Sequence, residues 1–267
     1  MAHPQHSPLG HLADRITGQS PAARRLRTQI RHLAPFDAPG EALARAQELA
    51  HPFSLAFARH FAARMHQLRR EARAAQEQAA AAIALSREQG FAFFLAVGTI
   101  VRGWALAAQG QTAEGIAQIQ QGLAAHRATG AGLDRAHHLA LLAEAYGRAS
   151  QAGMGLEVLA EALAEGCNHG ERYYEAELYR MQGQLRMARA VECDGEAEAC
   201  FQQALQVARR QKAKSLELRA AISLSRLWQQ GKRKEARQLL DPIYRWFTEG
   251  FDTADLQEAK ALLDELS

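Results

Sequence analysis

Eleven histidines, three cysteines and a scatter of arginines are the residues of this chain that could carry chemistry. His3, His6 and His11 fall in a polar, proline-broken opening, MAHPQHSPLGHLADR. His137 and His138 are adjacent, so on a helix they point about 100° apart and make a poor chelate. No HExxH occurs, and Cys167, Cys193 and Cys200 form no CxxC pair. Cys200 sits beside Phe201 in an apolar helical stretch, and Cys193 falls in the loop VECDGE. Cysteine catalysis needs a base and an orienting group nearby, and the spacing places neither. No GxxxxGK[ST] phosphate loop is present; Gly231-Lys232 runs into Arg233. The reading is a chain that is not an enzyme, with no cofactor and no metal.

The arginines are the remaining candidates, and helices must position them. Ala, Leu, Gln, Glu and Arg dominate the composition, and these are strong helix formers. Apolar residues make up 48% of the chain, enough for a sizeable core. The formal charge of +3 is accounted for by residues 1–40, where five arginines face Asp14 and Asp37. The rest balances, which is not the basic excess that nucleic-acid binding needs. Nucleic acid is therefore not an expected partner. No apolar run approaches the roughly 20 residues of a membrane span, and unpaired cysteines fit a reducing compartment. The expected location is the cytoplasm, with no membrane association.

A repeat organises the helices. GTIVRGWALAAQGQTAEGIAQIQQGLAAH from Gly98 and HLALLAEAYGRASQAGMGLEVLAEALAE from His138 align at an offset of 40 residues. Small residues (Gly103, Ala143) match mid-helix. So do the small residues that open the second helix (Gly115, Gly155), and apolar Ile119 and Leu159 follow. Later copies carry Gly183 with Ala197 and Phe201, then Ser225 with Ala236 and Leu240. An earlier copy holds Ala63 and Ala75. About five antiparallel hairpins follow, each unable to bury its apolar face alone. The expected fold class is all-α: an α-solenoid of helical hairpins, with a capping helix after Gly250. That helix has Asp252 as its N-cap and Asp255, Glu258, Asp264 and Glu265 in water. The expected domains are a basic N-terminal segment, 1–40, with a possible short helix over 21–33, and a superhelical domain, 41–267. The three tryptophans read mostly as packing residues.

The spacing of Tyr146, Gly153 and Ala162, and of Tyr179, Gly183, Phe201 and Ala204, resembles the tetratricopeptide repeat, with a unit longer than the usual 34 residues. The longer unit is closer to the repeats of maltose-activator-like transcriptional regulators. HPFSLAFARHFAA (51–63), EQGFAFFLAVGTIVRGWALAAQGQ (88–111), YYEAELYRMQGQL (173–185) and the stretch 214–266 resemble the C-terminal repeat region of large bacterial signalling proteins. Those proteins join an adenylate/guanylate cyclase domain and an ATPase domain to a tetratricopeptide (TPR) tail. ITGQSPAARRLRTQIRHLAPFDAPGE (16–41) resembles the opening of the AAA+ domain of enhancer-binding regulators, and equally reads as a basic amphipathic helix. The chain has neither the cyclase nor the ATPase motifs. The resemblance implies a protein-interaction scaffold in a bacterial signalling system, its partner another protein or peptide, including an upstream cyclase/ATPase module. The alternative it implies is a small-ligand sensor of the maltose-activator-like type.

In such stacks the first helix of each hairpin lines a concave groove. With Ala63, Gly103, Ala143, Gly183 and Ser225 on the packing side, helical periodicity turns other residues inward. These are His60, Arg64 and Gln67; Trp104; His137, Glu144 and Arg148; Glu177, Arg180 and Gln184; and Arg219, Arg226 and Gln229. Five are arginines and two are glutamates. A groove of this kind favours a carboxylate-rich partner, because guanidinium forks bind carboxylates bidentately.

Overall fold

A computed structural model describes residues 39–48, 51–169, 172–189 and 194–267. The expected helix over 21–33 lies outside them, as does Cys193. Among the described residues the chain forms twelve α-helices. Helix α1 is Pro39–Glu48, and five hairpins follow: α2 (Pro52–Leu68) with α3 (Ala72–Gln89), α4 (Ala92–Ala108) with α5 (Thr112–Ala128), α6 (Arg135–Arg148) with α7 (Ala152–His169), α8 (Glu175–Arg189) with α9 (Asp194–Gln211), and α10 (Lys214–Trp228) with α11 (Arg233–Tyr244). Helix α12, Ala254–Glu265, closes the chain. None of these helices is long and apolar enough to cross a membrane.

The small residues of the repeat lie where the two helices of a hairpin meet. A Cβ on Gly103 would stand 2.7 Å from the Gly115 carbonyl, and one on Gly115 would stand 2.5 Å from the Gly103 carbonyl. Backbone thus meets backbone between α4 and α5. At Gly183 the space is filled instead by the Phe201 ring, 2.5 Å from where a Cβ would sit. Ser225 uses its smallness differently: it is fully buried, and its hydroxyl donates to the Ala236 carbonyl at 3.1 Å. Ala63 and Ala75 are both fully buried in the first hairpin. Gly115→Ala is expected to destabilise by about 1–3 kcal/mol through overpacking against rigid backbone. Gly153→Ala, which meets nothing within 4 Å, is expected to be neutral or better. Urea unfolding of the two variants checks this.

The first helices of successive hairpins form the inner layer, α2 against α4, α4 against α6, α6 against α8, α8 against α10. Helix α12 packs on α10 and α11 through Leu256, Ala259, Leu262 and Leu266, all buried. Its polar face departs from expectation. Asp252 does not cap the helix; the N-cap is Thr253, and the Asp252 carboxylate instead pairs with Arg69 at 3.2 Å. Asp255 and Glu258 do not stay in water either. Their side chains are only 14% and 18% exposed, because both meet arginines across the inner surface. Trp246, expected in the packing, is 57% exposed.

Candidate binding cavities of the inner surface

Two hollows open on the inner side. The first, about 350 Å³, brings together Trp104 of α4, Glu144 and Arg148 of α6, Glu177, Arg180 and Gln184 of α8, and Arg219 and Arg226 of α10. With Gln67 these are nine of the thirteen residues that helical periodicity turned inward. Gln67, Arg70, Tyr174, Ser223, Asp255 and Glu258 complete the polar part of the wall.

Its electrostatics are those of a closed network. Glu177 is 4% exposed and holds Arg180 in a fork, Nη2–Oε1 at 2.6 Å and Nε–Oε2 at 2.9 Å. Arg219 approaches the same carboxylate at 3.5 Å and pairs with Asp255 at 2.7 Å. It also donates to the Leu68 carbonyl. Burial alone would raise the Glu177 carboxyl, but Arg180 and Arg219 outweigh it and hold it at about 2. Arg70 pairs with Asp255 and Glu258, and Arg226 pairs with Glu258 at 2.9 Å. Glu144 accepts from Trp104 Nε1 at 2.9 Å and from Arg148 at 2.9 Å. Five arginines on this wall therefore meet four carboxylates. Two of those carboxylates come from α12, which sequence periodicity assigned to solvent. Arg70, Arg148 and Arg226 are the exposed arginines of this wall, at 47%, 41% and 55%.

The remaining four groove candidates go elsewhere, Gln229 to a hydrogen bond with Glu265 at 2.8 Å. His60 and His137 are buried, 6% and 1% exposed, between neighbouring inner helices rather than on the cavity wall. A helical wheel marks the whole inward side of a helix, but the flanks of that side are covered by the next inner helix. His137 meets Gln67 at 3.0 Å and stacks edge-on against Tyr174. His126 and His138 lie close by, ring centres 5.0 Å apart. No group of three or more metal-ligating side chains is found among the described residues. Arg64 lines the second hollow. Its Nη1 meets Asp134 at 2.6 Å, its Nη2 donates to the Tyr173 hydroxyl at 2.8 Å, and Tyr173 donates to the other Asp134 oxygen at 2.7 Å. Asp134 begins α6 in the left-handed region, φ 63°, so its carboxylate serves Arg64 and leaves the helix end uncapped. The Cys200 thiol is pushed up by burial and contacts Gln182.

No protein-family model matches the chain. An uncharacterised protein of Rhizobium meliloti (strain 1021) is 36% identical over 125 residues, 47% of this chain. That stretch spans only 12% of the relative's length. Among solved structures, TPR-like repeats of a kinesin light chain from Podosopora anserina superpose with a TM-score of 0.51 at 21% identity, covering 73% of this chain and 95% of theirs. A Rap protein complexed with competence and sporulation factor superposes with a TM-score of 0.62 at 15% identity, covering 96% of this chain and 72% of its own. The fold is an α-solenoid of TPR-like hairpins.

Proposed function

We propose that the chain is a non-catalytic interaction scaffold whose inner cavity takes a carboxylate-bearing peptide or protein segment, and that it serves as a regulatory module of a cytoplasmic bacterial signalling system. In this reading residues 41–267 act as one repeat domain, coupled to a cyclase or ATPase module, with 1–40 as a separate basic segment. One observation carries it: five arginines converge on one concave wall, and part of their counter-charge is lent by the terminal helix α12, 185 residues from Arg70 and 36 from Arg219. A partner carboxylate need not find a vacant guanidinium; it exchanges with Asp255 or Glu258, so that the desolvation already met by the chain's own pairs is not met again. The Rap protein, which shares this fold and is complexed with competence and sporulation factor, supports a bound partner for such a stack.

The test is fluorescence anisotropy with a labelled glutamate-rich decapeptide. Arg148→Ala with Arg226→Ala is expected to weaken binding by at least tenfold, since a hydrogen bond to a charged group is worth about 1.5–3 kcal/mol. Glu258→Gln, which frees part of the counter-charge, is expected to tighten it. Equal affinity for a lysine-rich decapeptide, or indifference to both changes, would sink the proposal.

A further inference from the structure

The second hollow goes beyond the groove and differs from it in kind. Its volume is about 600 Å³, within the range of small-molecule sites. Phe61, Met65 and Leu68 of α2, Leu216 of α10, Phe247 of the α11–α12 connection and Leu256 of α12 supply its apolar wall. All but Leu256 are half-buried, so these large side chains keep contact with water inside the stack. An apolar guest would remove that contact at about 25 cal/mol per Å² of surface covered.

The charges on the wall are already answered. Arg64 is bound to Asp134, Arg219 to Asp255, and Arg69 to Glu71 and Asp252. The further acid on the wall, Glu249, is exposed. An anionic guest would have to break one of these pairs to find a counter-ion, and a cationic guest would find one only at the exposed Glu249 on the rim. An uncharged guest breaks none. Arg64 can still serve such a guest, because a guanidinium carries five N–H donors and its bonds to Asp134 and Tyr173 use two. Arg219, Asp255 and Tyr174 belong to both hollows and stand between them.

We infer that this hollow is a binding site for an uncharged, largely apolar small molecule carrying one hydrogen-bond acceptor, set with that acceptor toward Arg64. Its shared wall with the groove places the guest beside the Arg219–Asp255 pair.

Nile red, an uncharged apolar dye with a carbonyl acceptor, is the probe, titrated against the full chain. Saturable binding of one dye per chain is expected. Leu216→Trp and, independently, Met65→Trp fill the hollow from two different helices and are each expected to weaken binding at least tenfold while leaving the circular dichroism spectrum unchanged. A variant that does not fold is set aside in favour of the other. Trp246→Ala with Phe251→Ala, which removes the exposed aromatic residues nearby, is expected to leave binding intact. Non-saturable binding, retention in the filled variants, or loss only in the Trp246/Phe251 variant would overturn the assignment. The groove reading stands or falls separately on the decapeptide.

Discussion

Arg64→Ala is expected to lose about 3–5 kcal/mol of folding stability, because it removes one partner of a buried ion pair. The Asp134 carboxylate, on a left-handed residue at the start of α6 that is 7% exposed in the intact protein, would lose its Arg64 partner and keep the Tyr173 hydroxyl. In the intact protein burial would raise the Asp134 carboxyl, yet Arg64 and the Tyr173 hydrogen bond hold it well below the usual carboxylate range. Without Arg64 the largest opposing contribution is gone and the carboxyl moves up. The contrast is Arg69→Ala. Arg69 is 42% exposed and also paired with acids, but water screens it, and its loss is expected to cost about 1 kcal/mol or less. Urea unfolding at pH 7 separates the two. A loss at Arg64 no larger than at Arg69 would show that the Arg64–Asp134–Tyr173 cluster is hydrated rather than buried.

Arg64 also marks how far the sequence could be read. Its inward position on α2 was legible from helical spacing, and so was the repeat itself. Gly103, Gly115 and Gly183 recur because two helix backbones, or a backbone and a phenylalanine ring, must touch there, and such a demand leaves an imprint at fixed offset. Asp134 left no such imprint. It lies 70 residues from Arg64, in a turn where an aspartate usually caps the next helix. Its true use depends on how the hairpins curve, and nothing in a local pattern reports curvature. The same holds for Asp255 and Glu258. Their spacing marks one wet face of a terminal helix; only the return of the stack brings that face against Arg70, Arg219 and Arg226. His60 and His137 failed in the opposite direction. Periodicity turned them inward, but it could not distinguish a cavity wall from the covered flank between α2, α4 and α6.

Those buried histidines set the second large expectation, a steep loss of stability between pH 7 and pH 5. His60 and His137 are held neutral inside the stack. Burial dominates, the nearby Arg64 adds to it, and Asp134 opposes it, leaving them at about 4 and about 3 against the ordinary 6.5. His138 is lowered well below 6.5 by burial and by His137, and His126 is lowered by burial. Unbonded ring nitrogens on all four leave an incoming proton without an acceptor. For a histidine whose folded value is depressed, the unfolded chain takes up the proton first. The stabilisation is therefore complete above 6.5 and is lost as the pH falls through 6.5 toward the folded value. At pH 5 His60 and His137 have each lost about 2 kcal/mol, so about 4 kcal/mol together. The carboxylates do not share in this window. Asp134 and Glu177 have depressed folded values, so their contribution is intact above about pH 4 and falls only below it. Urea denaturation at pH 7, 6 and 5 is the measurement. His60→Phe, set between Phe61 and Phe94, is expected to remove about one proton from the slope of stability against pH. A stability that stays flat from pH 7 to pH 5, or a slope unchanged in His60→Phe, would mean that these rings reach water in the folded chain.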